Sequence, residues 1–150
     1  MGKAEKKLLP SCRFDMVDIS PTSVEIAKRF IKSDKIHYLI KDIFDFNSSE
    51  KYDFISMCEV LEHVEDPLKL LNKLNYLLSP NGTAYITTPT NAPTIDHIYL
   101  FNNTDEIRGL IKSTGFIIED EFETPVEQVS IQEAHKRKIC VMYAAFIKHN

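Results

Sequence analysis

Glycine is scarce and scattered in this chain. Among 150 residues only Gly2, Gly82, Gly109 and Gly115 occur, and no two of them cluster. Clustered glycines let backbone approach a ligand closely, so a glycine-rich phosphate cradle is absent and an ordinary dinucleotide-binding oxidoreductase is disfavoured. Cysteine is equally sparse: Cys12, Cys58 and Cys140 are odd in number and widely spaced. Without a CxxC pair, a disulfide framework and a structural zinc knuckle are both disfavoured, and a reducing compartment fits. No apolar run approaches the length of a membrane span, and "MGKAEKKLLP" lacks the apolar centre of a signal peptide. A basic surplus is also missing. The net charge of −4 argues against a general nucleic-acid binder.

What is present is ordinary for a soluble cytoplasmic domain: 43% hydrophobic and 27% charged residues. The length suits one domain over residues 1–150. Strand-like and helical patterns then alternate. A first strand is expected over Phe14–Asp18, followed by a helix capped by Ser20 with Pro21 at its first position. Further strands are expected over residues 36–41, 52–58 and 83–88, the last entered through an Asn81-Gly82 turn. Asp66 and Pro67 open a second helix whose Leu70, Leu71, Leu74, Leu77 and Leu78 form one apolar stripe. A third helix is expected over Thr104–Ser113, stopping near Gly115. "GFIIEDEFE" and "ICVMYAAFIKH" read as a closing antiparallel pair, with residues 125–138 between them as a polar excursion. The alternation predicts an α/β fold with a mainly parallel sheet.

In such sheets ligands bind beyond the carboxyl ends of the strands. Attention therefore falls on Asp18, Asp42, Cys58 with Glu59, and the loop after residue 88. A carboxylate ending a strand, like Asp18, can accept both hydroxyls of a ribose, or it can simply shape a turn. Asp42 repeats the pattern and could take a hydrogen bond from an exocyclic amine. "CEVLEHVEDP" adds Glu59, Glu62 and His63 at spacings i, i+3 and i+4, which share one face if the segment is helical. Two carboxylates and an imidazole can hold Mg²⁺, Mn²⁺ or Zn²⁺, with His97 as the fourth ligand from the next strand's loop. Two other readings stand beside this one: His63 as a metal-free general base, or Glu62 and His63 merely paired across a helix entry. His37, His135 and His149 read as solvated or satisfied in the core, and "HKRK" as a solvated turn. Cys58 reads as a wall residue rather than a nucleophile.

The segments "VDISPTSVEIAKRF", "KDIFDF", "YDFISMCEVLEHVEDPLKLLNKLNYLLSPNGTAYITTP" and "FNNTDEIRGLIKSTGF" together resemble the class I S-adenosylmethionine-dependent methyltransferases. The resemblance implies a Rossmann-like sheet with an antiparallel C-terminal strand pair. It also implies S-adenosyl-L-methionine as cofactor, with Asp18 and Ile19 at the ribose, Asp42 and Ile43 at the adenine, and Cys58 at the methionine end. The family's first strand and E/D-x-G-x-G-x-G turn have no counterpart here, so the sequence reads as N-terminally incomplete, with "GKAEKKLLPSC" as the tail of the helix after that turn. A missing strand would expose sheet edges and favour homo-oligomers through them.

The "E-x-L-E-H-V" pattern is similar to that of the ubiquinone-biosynthesis O-methyltransferase branch. With "DHIYLF" it is also similar to the small-RNA 3′-terminal 2′-O-methyltransferases, where Glu59, Glu62, His63 and His97 would correspond to a metal site. The resemblance thus implies O-methylation of a small metabolite or sugar-type acceptor, with His63 and Glu59 as catalytic residues. RNA ribose is a second acceptor class. DNA is disfavoured, because no N/D-P-P-Y element follows the fourth strand. A degenerate module that keeps the fold without catalysis is the rival reading.

Overall fold

The computed structural model describes residues 12–150; the expected helix tail at residues 2–11 lies outside them. The chain divides into two compact units, residues 1–48 and 49–150. In the first, β1 (Phe14–Asp18) and β2 (Ile36–Ile40) pair in parallel, Phe14 opposite Ile36 and Asp18 opposite Ile40. Between them α1 (Pro21–Phe30) starts where the sequence places it. Ser20 Oγ accepts the Ser23 amide at 3.2 Å, and Pro21 occupies the first turn, where no amide proton is needed. Val24 is its fully buried residue.

The second unit holds a four-stranded sheet in the order β3-β4-β6-β5: β3 (Tyr52–Cys58), β4 (Leu78–Thr90), β5 (Phe116–Pro125) and β6 (Val141–His149). β3 runs parallel to β4, while β6 lies antiparallel to both β4 and β5. The expected closing pair is therefore present, with β6 inserted between β4 and β5. A short 3₁₀ turn, Leu61–His63, and α2 (Pro67–Leu77) connect β3 to β4. Asp66 caps α2 by accepting the Lys69 amide at 2.9 Å. α3 (Thr104–Ser113) precedes β5, capped by Asn103 through the Glu106 amide. It ends before Gly115, whose φ of +83° needs a glycine.

Alternation along the strands builds the core. Ala84, Ile86, Thr88 and Thr90 of β4 share one face with Met57 of β3 and with Val141, Tyr143, Ala145 and Ile147 of β6; all are buried. The leucine stripe of α2 (Leu70, Leu71, Leu74, Leu77) and Ile107 and Ile111 of α3 are buried as well. Burying each such side chain contributes about 1.5–3 kcal/mol.

Two features depart most from the sequence reading. β4 begins at Leu78, but from Leu78 to Thr83 its partner advances only from Tyr52 to Phe54. Residues 79–82 therefore bulge out, and the expected turn survives as this irregularity. At Gly82 a Cβ would lie 2.8 Å from the Tyr52 carbonyl, so the bulge depends on glycine. The expected polar excursion contains a helix, α4 (Ile131–Arg137). Its apolar stripe is too short to show periodicity, yet Ser130 caps it through the Glu133 amide, the S-x-x-E signature of a capping box. His135 is not simply solvated: its Nε2 lies 3.0 Å from Glu123 Oε2.

β5, β6 and α3 are joined by a charged network. Arg108 contacts Asp105, Glu121 and Glu123, and the Tyr143 hydroxyl donates to Glu121 Oε2 at 2.7 Å. Burial pushes the Glu121 carboxyl up, but the Arg108 guanidinium and Tyr143 hydroxyl outweigh it and hold it below its ordinary value. Its contribution is thus present at neutral pH and lost as pH falls through the carboxylate range. Tyr143→Phe should lower unfolding free energy by about 1–2 kcal/mol in urea titrations. Glu121→Gln should flatten the loss of stability between neutral and acid pH, read from melting temperatures across that range.

Candidate active site

At the carboxyl end of the β1–β2 pair, Asp18 and Asp42 follow adjacent parallel strands. The Lys41 amide donates to the Asp18 carbonyl at 3.0 Å, carrying the ladder one step past β2. Each carboxylate commits one oxygen to its own turn: Asp18 Oδ1 accepts the Ser20 amide at 2.7 Å and Asp42 Oδ1 the Phe44 amide at 2.8 Å. Both are Asx-type turns that fix the side chain against the backbone. Ile19 is 69% exposed. Cys58 is exposed at the end of β3, its Sγ 3.4 Å from Ser56 Oγ.

The acidic and imidazole groups after β3 are arranged differently from a helical face. Glu59 has a left-handed φ of 54°, and its amide still donates to the Thr87 carbonyl at 3.0 Å, extending the strand. Only then does the 3₁₀ turn begin. Adjacent β4 residues point to opposite faces of the sheet, and each takes one of the two glutamates. The Thr87 hydroxyl donates to Glu59 Oε1 at 2.7 Å on the exposed side; the Thr88 hydroxyl donates to Glu62 Oε2 at 2.9 Å on the buried side. This separates Glu59 from the other three residues of the expected set.

Those three do converge. One ligand-capable atom from each of Glu62, His63 and His97 lies within 4.8 Å of the others. The two imidazole rings stand edge to face with centroids 5.0 Å apart. His63 Nδ1 is 2.8 Å from the Asp96 carbonyl and His97 Nδ1 is 2.6 Å from the Ala92 carbonyl. A carbonyl oxygen only accepts, so both Nδ1 atoms carry a proton, and in the neutral tautomer this selects, the lone pair lies at Nε2. His63 Nε2 faces Glu62 Oε1 at 3.9 Å. Glu62 is 1% exposed, and its Oε1 has no hydrogen-bond partner among the described residues. Burial pushes the Glu62 carboxyl up, against the pull of its own backbone amide and the Thr88 hydroxyl. An orphaned buried carboxylate oxygen costs about 1–3 kcal/mol or more, so something must account for its retention.

The loop after β4 is fastened to this turn. The Glu62 carbonyl accepts both the Ile98 amide at 2.8 Å and the Tyr99 amide at 3.0 Å. Together with the His63–Asp96 bond, these place His97 beside the 3₁₀ turn. Sequence reading named His97 for its position after the strand; it missed Thr88, whose only signal is its strand parity. His63→Ala should speed hydrogen exchange at the Ile98 and Tyr99 amides while leaving β4–β6 ladder amides protected, measured residue by residue.

Acids at the ends of parallel strands and an antiparallel C-terminal pair are the features expected of a class I methyltransferase fold. Residues 5–138 match the methyltransferase domain family. The chain belongs to that family. It is 31% identical over 83 residues to malonyl-[acyl-carrier protein] O-methyltransferase 1 of Ilyobacter polytropus, covering 55% of this chain and 31% of that protein. With the ubiquinone biosynthesis O-methyltransferase of Rickettsia canadensis it shares 34% over 74 residues, 48% of this chain and 31% of that protein. The matches thus span about a third of these relatives' length.

Among solved structures, the N-methyltransferase NodS from Bradyrhizobium japonicum WM9, in complex with S-adenosyl-L-homocysteine, superposes with a TM-score of 0.71 at 19% identity. That superposition covers 97% of this chain and 72% of NodS. The [4+2]-cyclase SpnF superposes at 0.73 with 10% identity, over 99% of this chain and 71% of that one. The fold is common to all of these, and their stated reactions differ.

Proposed function

We propose that this chain acts in S-adenosylmethionine-dependent methyl transfer to a hydroxyl oxygen of a small-molecule acceptor. The observation that carries the reading is the Glu62–His63–His97 cluster, in which His63 Nε2 lies 3.9 Å from the unpartnered Glu62 Oε1 and His97 brings a third ligand atom within 4.8 Å of the other two. The named activities of the O-methyltransferase relatives support the same choice. Asp18 and Asp42 are assigned to the ribose and adenine of the cofactor, with Ile19 and Ile43 beside them and Cys58 toward its methionine end. Asp18 and Asp42 each retain a second carboxylate oxygen beyond the one spent on the turn, which suits an acceptor of ribose or amine protons.

S-adenosylmethionine supplies an electrophilic methyl group on a sulfonium. The acceptor oxygen attacks that carbon, the S–CH₃ bond breaks to leave S-adenosylhomocysteine, and the acceptor's proton must be removed. In this reading the cluster manages that proton. Two imidazoles and one carboxylate suit Mn²⁺ or Zn²⁺ better than Mg²⁺. When bound, such an ion lowers the pKa of a coordinated hydroxyl. Glu62, His63 and His97 would hold it, with Glu59 bonded to Thr87 and outside that donor set. The same geometry supports a second reading in which His63, its Nδ1–H anchored on Asp96, takes the proton directly at Nε2.

Calorimetry with S-adenosylmethionine and S-adenosylhomocysteine should show binding, weakened about 10–100-fold by Asp18→Ala through loss of a charged hydrogen bond. Absence of binding up to millimolar concentrations would favour a non-catalytic module. Elemental analysis after incubation with Mn²⁺ or Zn²⁺ should find the ion in wild type and lose it in His63→Ala and His97→Ala. An ion-free wild type that still methylates would leave His63 as the base.

A further inference from the structure

We propose that Thr88 is a positioning residue for the Glu62–His63–His97 cluster, holding one carboxylate oxygen of Glu62 so that the other stays directed at a divalent cation. The proposal rests on the metal-binding reading above and goes beyond it, because Thr88 touches neither histidine ring nor any reacting atom in that scheme.

Thr88 is fully buried on the core face of β4, between Met57-facing Ile86 and the buried Thr90, and pairs across the ladder with Tyr143. A β-branched side chain in a strand has restricted χ1, so the hydroxyl direction is set by the backbone. That hydroxyl donates to Glu62 Oε2 at 2.9 Å. The carboxylate is thereby held at Oε2, and Oε1 is the atom left without a partner, 3.9 Å from His63 Nε2. A carboxylate this deeply buried has little water to replace a lost donor. Without the Thr88 hydroxyl, Glu62's own backbone amide remains as a restraint on the carboxylate, and rotation about the last side-chain bond is less opposed. Partners that orient metal ligands typically matter about 10–100-fold for affinity.

The test is Mn²⁺ affinity, by calorimetry and by the free-Mn²⁺ electron paramagnetic resonance signal, together with urea stability of the metal-free protein. Thr88→Val, nearly the same shape without the hydroxyl, should weaken Mn²⁺ binding about 10–100-fold, and Thr88→Ser should stay within about threefold of wild type. Thr88→Ser and Thr88→Ala differ only in the hydroxyl, so they decide the matter if the valine variant fails to fold. A purely structural threonine would lower the urea midpoint and leave the affinity of the folded protein unchanged; equal affinity in wild type and valine variant, or in serine and alanine variants, overturns the proposal. If folded wild type binds no Mn²⁺, the metal reading itself fails, and the proposal with it.

Discussion

The register of β4 is the constraint on which the second unit depends. This strand is held on one side by the parallel β3 and on the other by the antiparallel β6, with Thr87 opposite both Cys58 and Ala144. Because side chains alternate strictly along a strand, a slip of one residue would move Ile86 and Ala84 out of the core and exchange the faces of Thr87 and Thr88. Core packing and site geometry are thus set by one register. The bulge at residues 79–82 and the close approach at Gly82 absorb the mismatch in length before that register begins.

The site then trades stability for a defined polar geometry. A glutamate buried to 1% exposure keeps an oxygen without a hydrogen bond, while its backbone carbonyl serves two amides of the following loop. The two histidines each hydrogen-bond a main-chain carbonyl through Nδ1, with the Asp96 carboxylate also 4.0 Å from that atom of His63. Main-chain acceptors cannot be lost by point substitution, so ring orientation here is a property of the loop path. The sheet does not by itself dictate a reaction, since a cyclase shares it with methyltransferases. Chemistry in this molecule is argued from the side chains at the strand ends.

Much of the fold was legible because local signals agreed with one another. Ser20-Pro21 and Asp66-Pro67 marked helix starts, Gly115 a helix end, and the leucine stripe of α2 its buried face. Where a signal was short, the reading failed: α4 has two buried or half-buried apolar positions on its face, Ile131 and Ala134, too few for a period to emerge. At the site, Glu62, His63 and His97 were legible from residue type and from their place after strands. Glu59 was grouped with them on the premise of a helical face. The chain bends at Glu59 through a left-handed φ while its amide still bonds to β4, and the 3₁₀ segment begins only at Leu61, so spacing along the sequence did not translate into a shared surface. Thr88 carried no chemical signature at all; its hydrogen bond to Glu62 follows from strand parity and depth, which a single sequence shows only once the register is known.

The pair Thr87-Thr88 also works as a partition. Two neighbouring residues of one type, joined by a single peptide bond, serve carboxylates on opposite faces of a sheet with no hydrogen-bond partner in common. The two carboxylates are still linked through space, since the charge of Glu59 adds to the forces that raise the Glu62 carboxyl. One strand thus supplies each carboxylate with its own hydroxyl donor, so that its register fixes the direction of both at once.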